Sequence, residues 1–349
     1  MDSVPGVREA FGEKFDVPAG YLNTAAIGLP FARVTDTLVD AIAQWRVGAL
    51  QLDDFDADVV AARNAWARLV GVAPSDVATG ASVSQLIGLV AASVPDGTKV
   101  LTVHNEFTSV TFPFAAQRHR GITVTEAKPA ELLSQLRGHD LVAVSAVQSA
   151  DGPGWTWMSC APRLRRRGLG CLSTSVTPPA GKPLRLHWAE FVVGAAYKWL
   201  LAPRGAAWMA VRRVALADVV PVVANWFGAE DIWSGLYGLP LRLAGDARRL
   251  DLSPAWFSQR GAAVSLPWLA GLDLTAVREH CVGLADATLA GLGLCSRDSA
   301  IISLDIPAQA ACRLVQAGAV VSARAGRTRL SFHLYNTMDD VELVLSALR

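Results

Sequence analysis

Between residues 33 and 70 apolar side chains recur at helical spacing, and the acidic stretch LDDFDAD interrupts them, which predicts two helices with a break between. From Val77 the pattern changes. VATGASVSQLIGLVAASV reads as a short strand, a Gly/Ser turn and a helix, and KVLTVHNE and GITVTEAK read as strands. HDLVAVSAVQ reads as a buried strand, with FTSVTFPFAAQRHR and PAELLSQLRG as the helices between these strands. AEFVVGAAY and AAWMAVRR add two more strands. Alternation of this kind predicts an α/β fold, a mainly parallel sheet covered by helices on both faces. From about Leu252 the style shifts to an apolar helix near Ala262–Ala270, a helix near Leu274–Leu292, then CRLVQAG, VVSARAG, RTRLSFHLY and a last helix, DDVELVLSALR. That is an α+β block. The expected division is an N-terminal arm (1–30), a large domain (31–250) and a smaller C-terminal domain (251–349), with no internal repeat.

Composition narrows the classes. The 349 residues are 52% hydrophobic with a formal charge of +1, so a folded, non-basic protein is expected and a nucleic-acid surface is not. No apolar run reaches the roughly 20 residues of a membrane helix, and the charged N-terminus lacks the apolar core of a signal peptide. The five cysteines (Cys160, Cys171, Cys281, Cys295, Cys312) show no zinc-ligand spacing and no disulfide framework. A reduced, cytoplasmic protein without a metal is the expectation. There are five lysines (Lys14, Lys99, Lys128, Lys182, Lys198), which limits the candidates for any imine-forming amine.

Two segments carry candidate chemistry. Thr79-Gly80-Ala81-Ser82-Val83-Ser84 stands where a strand gives way to a helix, and helix N-termini present free N–H groups to anions. Gly80 permits close backbone approach, and the Ser82 and Ser84 hydroxyls can bind a phosphate; an ordinary N-cap is the alternative. In FVVGAAYKWLLAPRG, Lys198 follows an apolar strand and precedes a Pro/Gly turn. A lysine there loses hydration, its pKa falls, and it becomes a usable nucleophile. By spacing alone, a lysine snorkelling from a strand end is the favoured reading.

The pattern strand–xxx–Lys–xxxx–Pro–x–Gly resembles the Schiff-base signature of the class-V aminotransferase family, which includes cysteine desulfurases and isopenicillin N epimerase-like enzymes. Tyr197 stands where many relatives have His. Tyr21-Leu-Asn-Thr-Ala-Ala26-Ile-Gly-Leu-Pro resembles the N-terminal segment that lines the family's substrate side, and so points to Asn23 and Ala26. Phe107, in NEFT, falls where an aromatic residue stacks on the cofactor ring. Gln148 and Ser149 match the strand end that contacts the cofactor's phenolic oxygen. Arg329-Leu-Ser-Phe-His-Leu-Tyr-Asn-Thr337 resembles the motif whose Arg forks a substrate carboxylate, a task that the planar guanidinium suits; Arg324 is a second candidate.

The resemblance implies a fold-type-I PLP-transferase with pyridoxal 5'-phosphate (PLP) on Lys198. The phosphate would lie at Gly80, Ala81, Ser82 and Ser84, the substrate would be an amino acid, and the protein would be a homodimer. Leu252–Trp256 lies where a neighbour's loop often reaches the phosphate. Desulfurase chemistry is not expected, because VVSARAGRTRLSF lacks the family's loop cysteine.

One segment departs from the pattern. Such enzymes place an Asp on the pyridine nitrogen, some two dozen residues before the lysine. Here that place reads LSTSVTPPAGK, without an Asp, and Pro178-Pro179 cannot sit inside a central strand. The preceding GPGWTWMSCAPRLRRR stands where an amphipathic helix belongs. Regrouping codons, so that each takes the last base of one residue and the first two of the next, turns Trp155-Thr-Trp-Met-Ser-Cys160 into Asp, Leu/Val/Met, Asp, Glu, Leu, Arg/Cys. The Arg-rich run becomes Ala-rich, and Ser173–Gly181 admits Asp-Val-Ser-Asp-Ala-Ala-Gly-Trp. Residues from about Pro153 to Gly181 are therefore expected to be read from a shifted frame between two compensating indels, a divergent loop being the alternative. As written, the chain is expected to be less stable and poorly active, and a catalytically inactive paralogue is the competing class. Sequencing the coding DNA checks this: the regrouped frame should be open and encode a helix followed by an Asp-bearing strand, and a stop codon there ends the idea.

Overall fold

The computed structural model describes residues 6–150, 152 and 189–349, and the backbone of 170–174. A hairpin of β1 (Gly6–Ala10) and β2 (Glu13–Val17) opens the chain. α1 (Ala32–Arg46) and α2 (Asp56–Val70) follow, separated by a 3-10 turn over Asp53–Phe55 where the acidic break was expected. Then come β3 (Val77–Gly80), α3 (Val83–Ser93), β4 (Lys99–Val103), α4 (Thr108–Ala115), β5 (Thr123–Ala127) and β6 (Leu141–Ser145). They are followed by β7 (Gly170–Thr174), β8 (Phe191–Ala195), β9 (Ala207–Val211) and the single turn α5 (Arg213–Leu216).

These strands form one seven-stranded sheet in the order β3-β9-β8-β7-β6-β4-β5. Strands β4 to β8 run parallel, and β9 is antiparallel to both its neighbours. Alternate residues of β3, β4, β6, β8 and β9 feed two apolar layers. Leu101, Val142, Val192 and Trp208 pack on one face, and Val100, Ala143, Val193 and Met209 on the other. Both faces are covered, so the strands read as apolar runs rather than as alternation.

The C-terminal part adds α6 (Trp256–Gly271), α7 (Leu274–Gly291), α8 (Ala308–Gln316) and α9 (Met338–Leu348). A three-stranded antiparallel sheet goes with them: β10 (Ile301–Leu304), β12 (Arg327–Ser331) and β11 (Ser322–Arg324), in that order. Leu284, Ile302, Leu314, Leu330, Phe332 and Val344 form its core. Among the described residues no helix is long and apolar enough to cross a membrane.

Some expectations need correction. PAELLSQLRG is a 3-10 turn over Pro129–Glu131 followed by further turns, not a helix. Leu132 and Leu136 are buried in the core from these turns, so the apolar anchoring that suggested a helix is met without one. The β1–β2 hairpin and β10 were not foreseen: β1 is exposed or half-buried throughout and β2 buries only two side chains, which leaves little alternation to read, and β10 is a fully buried run of only four residues. Strand β7 stands between β6 and β8 and ends at Thr174. The rest of the segment expected to be frame-shifted, with Pro178, Pro179 and Arg165–Arg167, lies outside the described residues.

The chain's two ends meet at Asp340. Its buried carboxylate accepts from Arg8 Nη1 (2.6 Å) and Nη2 (3.0 Å), the Gly20 N–H (2.8 Å), Asn336 Nδ2 (2.9 Å) and the Thr337 N–H (3.0 Å). Burial alone pushes the acid's pKa up, but these donors together hold it below the ordinary carboxylate range. Asp340→Ala strands five donors and should cost about 3 kcal/mol in urea unfolding. A carboxyl depressed in the folded state stabilises above its unfolded pKa of about 3.9 and loses that contribution as pH falls through the folded value. The gap between parent and variant should therefore narrow on acidification below about pH 4.

Candidate active site at the carboxyl edge of the large sheet

Strand β8 delivers Lys198 to the carboxyl edge of the sheet, where ligands settle in α/β folds. The amine stands 5.1 Å from the Phe107 ring centroid and 5.4 Å from that of Tyr197, in a cavity whose wall includes Ser82, Ser84, Phe107, Ser149 and Arg204. Burial, then Arg329, Arg324 and Arg204, lower its pKa to about 8. Each of these disfavours the charged ammonium. No carboxylate belongs to the cavity wall among the described residues.

One wall forms a cradle at the N-terminus of α3. Ser82 is the N-cap of α3 and accepts the Gln85 N–H at 3.3 Å, and its Oγ lies 3.3 Å from that of Ser84. Ala81, also on the wall, gives its N–H to Gln85 Oε1 at 3.2 Å. Gly80 sits directly behind. A Cβ there would come within 2.4 Å of Gln85 Oε1 and 2.8 Å of Leu86 Cδ2, so a larger residue fits only if those side chains shift.

Asp251, fully buried, fixes the strand that carries the cradle. It accepts the Thr79 N–H at 2.7 Å and Arg63 Nη2 at 2.5 Å, while Arg63 Nη1 donates to the Val77 carbonyl at 3.0 Å. Burial drives the Asp251 carboxyl up to about 6 against the pull of Arg63. Sequence reasoning missed this pair, because partners 188 residues apart leave no local spacing to read.

A second buried acid orients the aromatic wall. Glu106 accepts the Phe107 N–H (2.7 Å), the Ser145 N–H (2.8 Å) and the Ser145 hydroxyl (2.6 Å). Burial raises its pKa while these donors oppose the rise. Its adjacency to Phe107 in the chain was the one available signal.

Arg329 is 1% exposed on β12. Its Nη1 donates to the Ser149 carbonyl (2.5 Å) and hydroxyl (3.1 Å), and its Nε to Ser322 Oγ (3.2 Å). Its Nη2 is buried with no hydrogen-bond partner among the described residues. Burial, with Arg324 nearby, lowers its pKa to about 10. A buried guanidinium with an unused donor and no acid beside it is a ready site for a carboxylate.

Asn23 bridges Ser331 through the backbone, and its Oδ1 is buried without a partner. Ala25 lines the cavity and donates its N–H to Ser331 Oγ at 2.9 Å; Ala26, the residue singled out from the sequence, turns back to hydrogen-bond the Asn23 carbonyl at 2.9 Å. Gln148 is buried behind the wall with a long 3.5 Å bond to the His104 carbonyl, whereas Ser149 is on it. Of the residues with candidate roles, Ala81, Ser82, Ser84, Phe107, Ser149 and Lys198, from four separate stretches of chain, line one cavity, whereas Asn23, Ala26, Gly80, Gln148 and Arg329 stand behind its wall.

No protein-family model matches the chain. It is 25% identical over 346 residues to the uncharacterized aminotransferase YcbU of Bacillus subtilis (strain 168), covering 91% of this chain and 90% of that one. Among solved structures it is similar to an apo cysteine desulfurase from Thermococcus onnurineus NA1 (TM-score 0.81, 17% identity, 94% and 93% of the two chains). It is also similar to the cystine C–S lyase C-DES in complex with cysteine persulfide (TM-score 0.83, 15% identity, 95% and 97%).

The lowered pKa of Lys198 can be measured directly. Because its folded pKa lies below the ordinary value, the reactive free amine appears at lower pH. Labelling of the Lys198 peptide by an amine-acylating reagent should be half-maximal near pH 8, well below the ordinary lysine value of about 10.4. A Lys198 profile half-maximal near that ordinary value overturns the assignment.

Proposed function

We propose that this chain, which has the fold-type-I architecture of the class-V aminotransferase family, holds PLP on Lys198 and acts at the Cα of an amino acid, with transamination as the favoured reaction. The single observation that carries the reading is the placement of Lys198. Its amine, lowered to about 8, shares one cavity with the cradle at Ser82 and Ser84, and the guanidinium of Arg329 grips the same wall through Ser149.

The residues present fit the cofactor at three of its four contacts. Ser82, Ser84 and the N-terminus of α3 would hold the phosphate, Phe107 would face the ring, and Lys198 would take the aldehyde carbon. Bound there, PLP supplies an electron-withdrawing ring that weakens the bonds to the substrate Cα. Lys198 Nζ would be the base that accepts and returns the Cα proton. Arg329 Nη2 would bind the substrate carboxylate, with Asn23 beside it. Segment 251–349 would close over the large domain and carry this arginine.

The fourth contact, an acid at the ring nitrogen, belongs at the end of β7, and residues 175–188 there lie outside the described residues. We assign this acid to the regrouped reading frame over 153–181. A second reading, a paralogue without catalysis, is favoured by the lack of any carboxylate on the described cavity wall. A cysteine desulfurase is disfavoured. The Cys281 thiol is buried and pushed up to about 12, and neither Cys295 nor Cys312 lines the cavity. The homodimer is supported by Tyr237, Leu239 and Leu241, which are 86%, 88% and 65% exposed within one short loop.

Purified protein with added PLP should turn yellow and be fixed by borohydride at the Lys198 peptide, and Lys198→Ala should abolish both. Arg329→Ala should raise the amino-acid KM by the equivalent of ~2–4 kcal/mol while leaving the colour in place. Colourless parent protein favours the inactive paralogue, and covalent PLP retained by Lys198→Ala shows that another amine is used.

A further inference from the structure

The backbone just after Lys198 is strained. Leu201 has φ +54°, in the left-handed region that a branched side chain avoids, and its N–H closes a turn onto the Lys198 carbonyl at 3.3 Å. A conformation of this kind persists only where the surroundings over-determine it, and it is a pointer to function. The surroundings here are three hydrogen bonds to the carbonyls of the turn, each from a different part of the chain. The Gly28 N–H donates to the Tyr197 carbonyl at 2.9 Å, and its Cα packs so closely that a Cβ would fall 1.8 Å from the Lys198 oxygen. Ser265 Oγ on α6 donates to the Leu200 carbonyl. His333 Nε2 meets the Trp199 carbonyl at 3.1 Å.

The His333 contact has a defined polarity. Its Nδ1 lies 2.8 Å from the Leu334 backbone nitrogen, which can only donate, so Nδ1 accepts and Nε2 carries the proton given to Trp199. The ring is 4% exposed and stacked between Trp199 and Tyr335, with both centroids 5.3 Å away. Burial lowers its pKa to about 4, so this tautomer holds across the neutral range. His333 follows β12, the strand that bears Arg329, by two residues.

We infer that His333 is a positioning residue for Lys198: with Gly28 and Ser265 it holds the strained turn that presents the amine, and it ties that turn to the strand carrying Arg329. The substrate-carboxylate arm and the nucleophile are then parts of one rigid connection across the two sheets, and Lys198 stays in the pocket where its ammonium is disfavoured. The inference rests on the reading of Lys198 as the reactive amine. The groups facing that amine, Arg329, Arg324 and Arg204, are left in place by every substitution proposed below.

The test uses the full chain without cofactor, with PLP and cyanoborohydride as the probe and the mass of the Lys198 peptide as the readout. His333→Phe keeps a stacking ring and removes the donor; His333→Gln keeps a donor near the Nε2 position. The Phe variant should shift the labelling midpoint of Lys198 upward from about 8. A rise of about one unit makes labelling at neutral pH about tenfold slower. The Gln variant should recover most of the parent rate. An unchanged midpoint in folded His333→Phe, or equal loss in both variants, overturns the role. If the Phe variant does not fold, Ser265→Ala decides by the same readout: it removes another hydrogen bond to the turn without touching the ring stack, and an unshifted midpoint refutes the positioning device. Failure of the parent chain to label at Lys198 would instead refute the underlying reading.

Discussion

Lys198 is buried beside three arginines with no carboxylate on the described wall to offset it. An ammonium in that setting lacks both hydration and a counter-ion, so the neutral amine is favoured and the pocket as a whole favours an anion. The other parts of the site follow from meeting this condition. The parallel sheet brings strand ends together, the N-terminus of α3 adds partial positive charge beside Ser82, and Arg329 of the second sheet supports the wall from behind through Ser149. A site assembled this way suits an anionic ligand.

Rigidity comes from buried polar pairs that lie behind the cavity. Asp251 and Arg63 fix the last residues of β3, Glu106 fixes the chain at Phe107, and His333 fixes the turn after Lys198. Each satisfies backbone donors or acceptors that a strand or helix end leaves open, which is why burial of these groups is tolerated. Asp340 does the same for the joint between the N-terminal arm and the C-terminal helix. The cavity-lining residues are therefore held by a set of interactions that lie behind the wall.

Much of this was legible in the chain. The two apolar layers of the large sheet require Leu101, Val142 and Val192 on one face and Val100, Ala143 and Val193 on the other, and that demand writes continuous apolar runs into the sequence. The Gly/Ser turn before α3 and the lysine after an apolar strand could be picked out for similarly local reasons. The turns at 129–138 misled because two leucines four residues apart are compatible with a helix and with a compact loop alike.

The sequence by itself determined the α/β alternation, the helix that follows the Gly/Ser turn, and the lysine at the end of β8, because each depends on neighbours within a few residues. Tertiary structure decided that Ala25 rather than Ala26 lines the cavity, since a one-residue change of facing in an irregular segment has no periodic signature. It also decided the pairings of Asp251 with Arg63, Arg329 with Ser149 and His333 with Trp199, whose partners lie 188, 180 and 134 residues apart. Contacts across such separations are fixed by how whole layers pack, and packing is a property of the assembled fold rather than of any window of the chain.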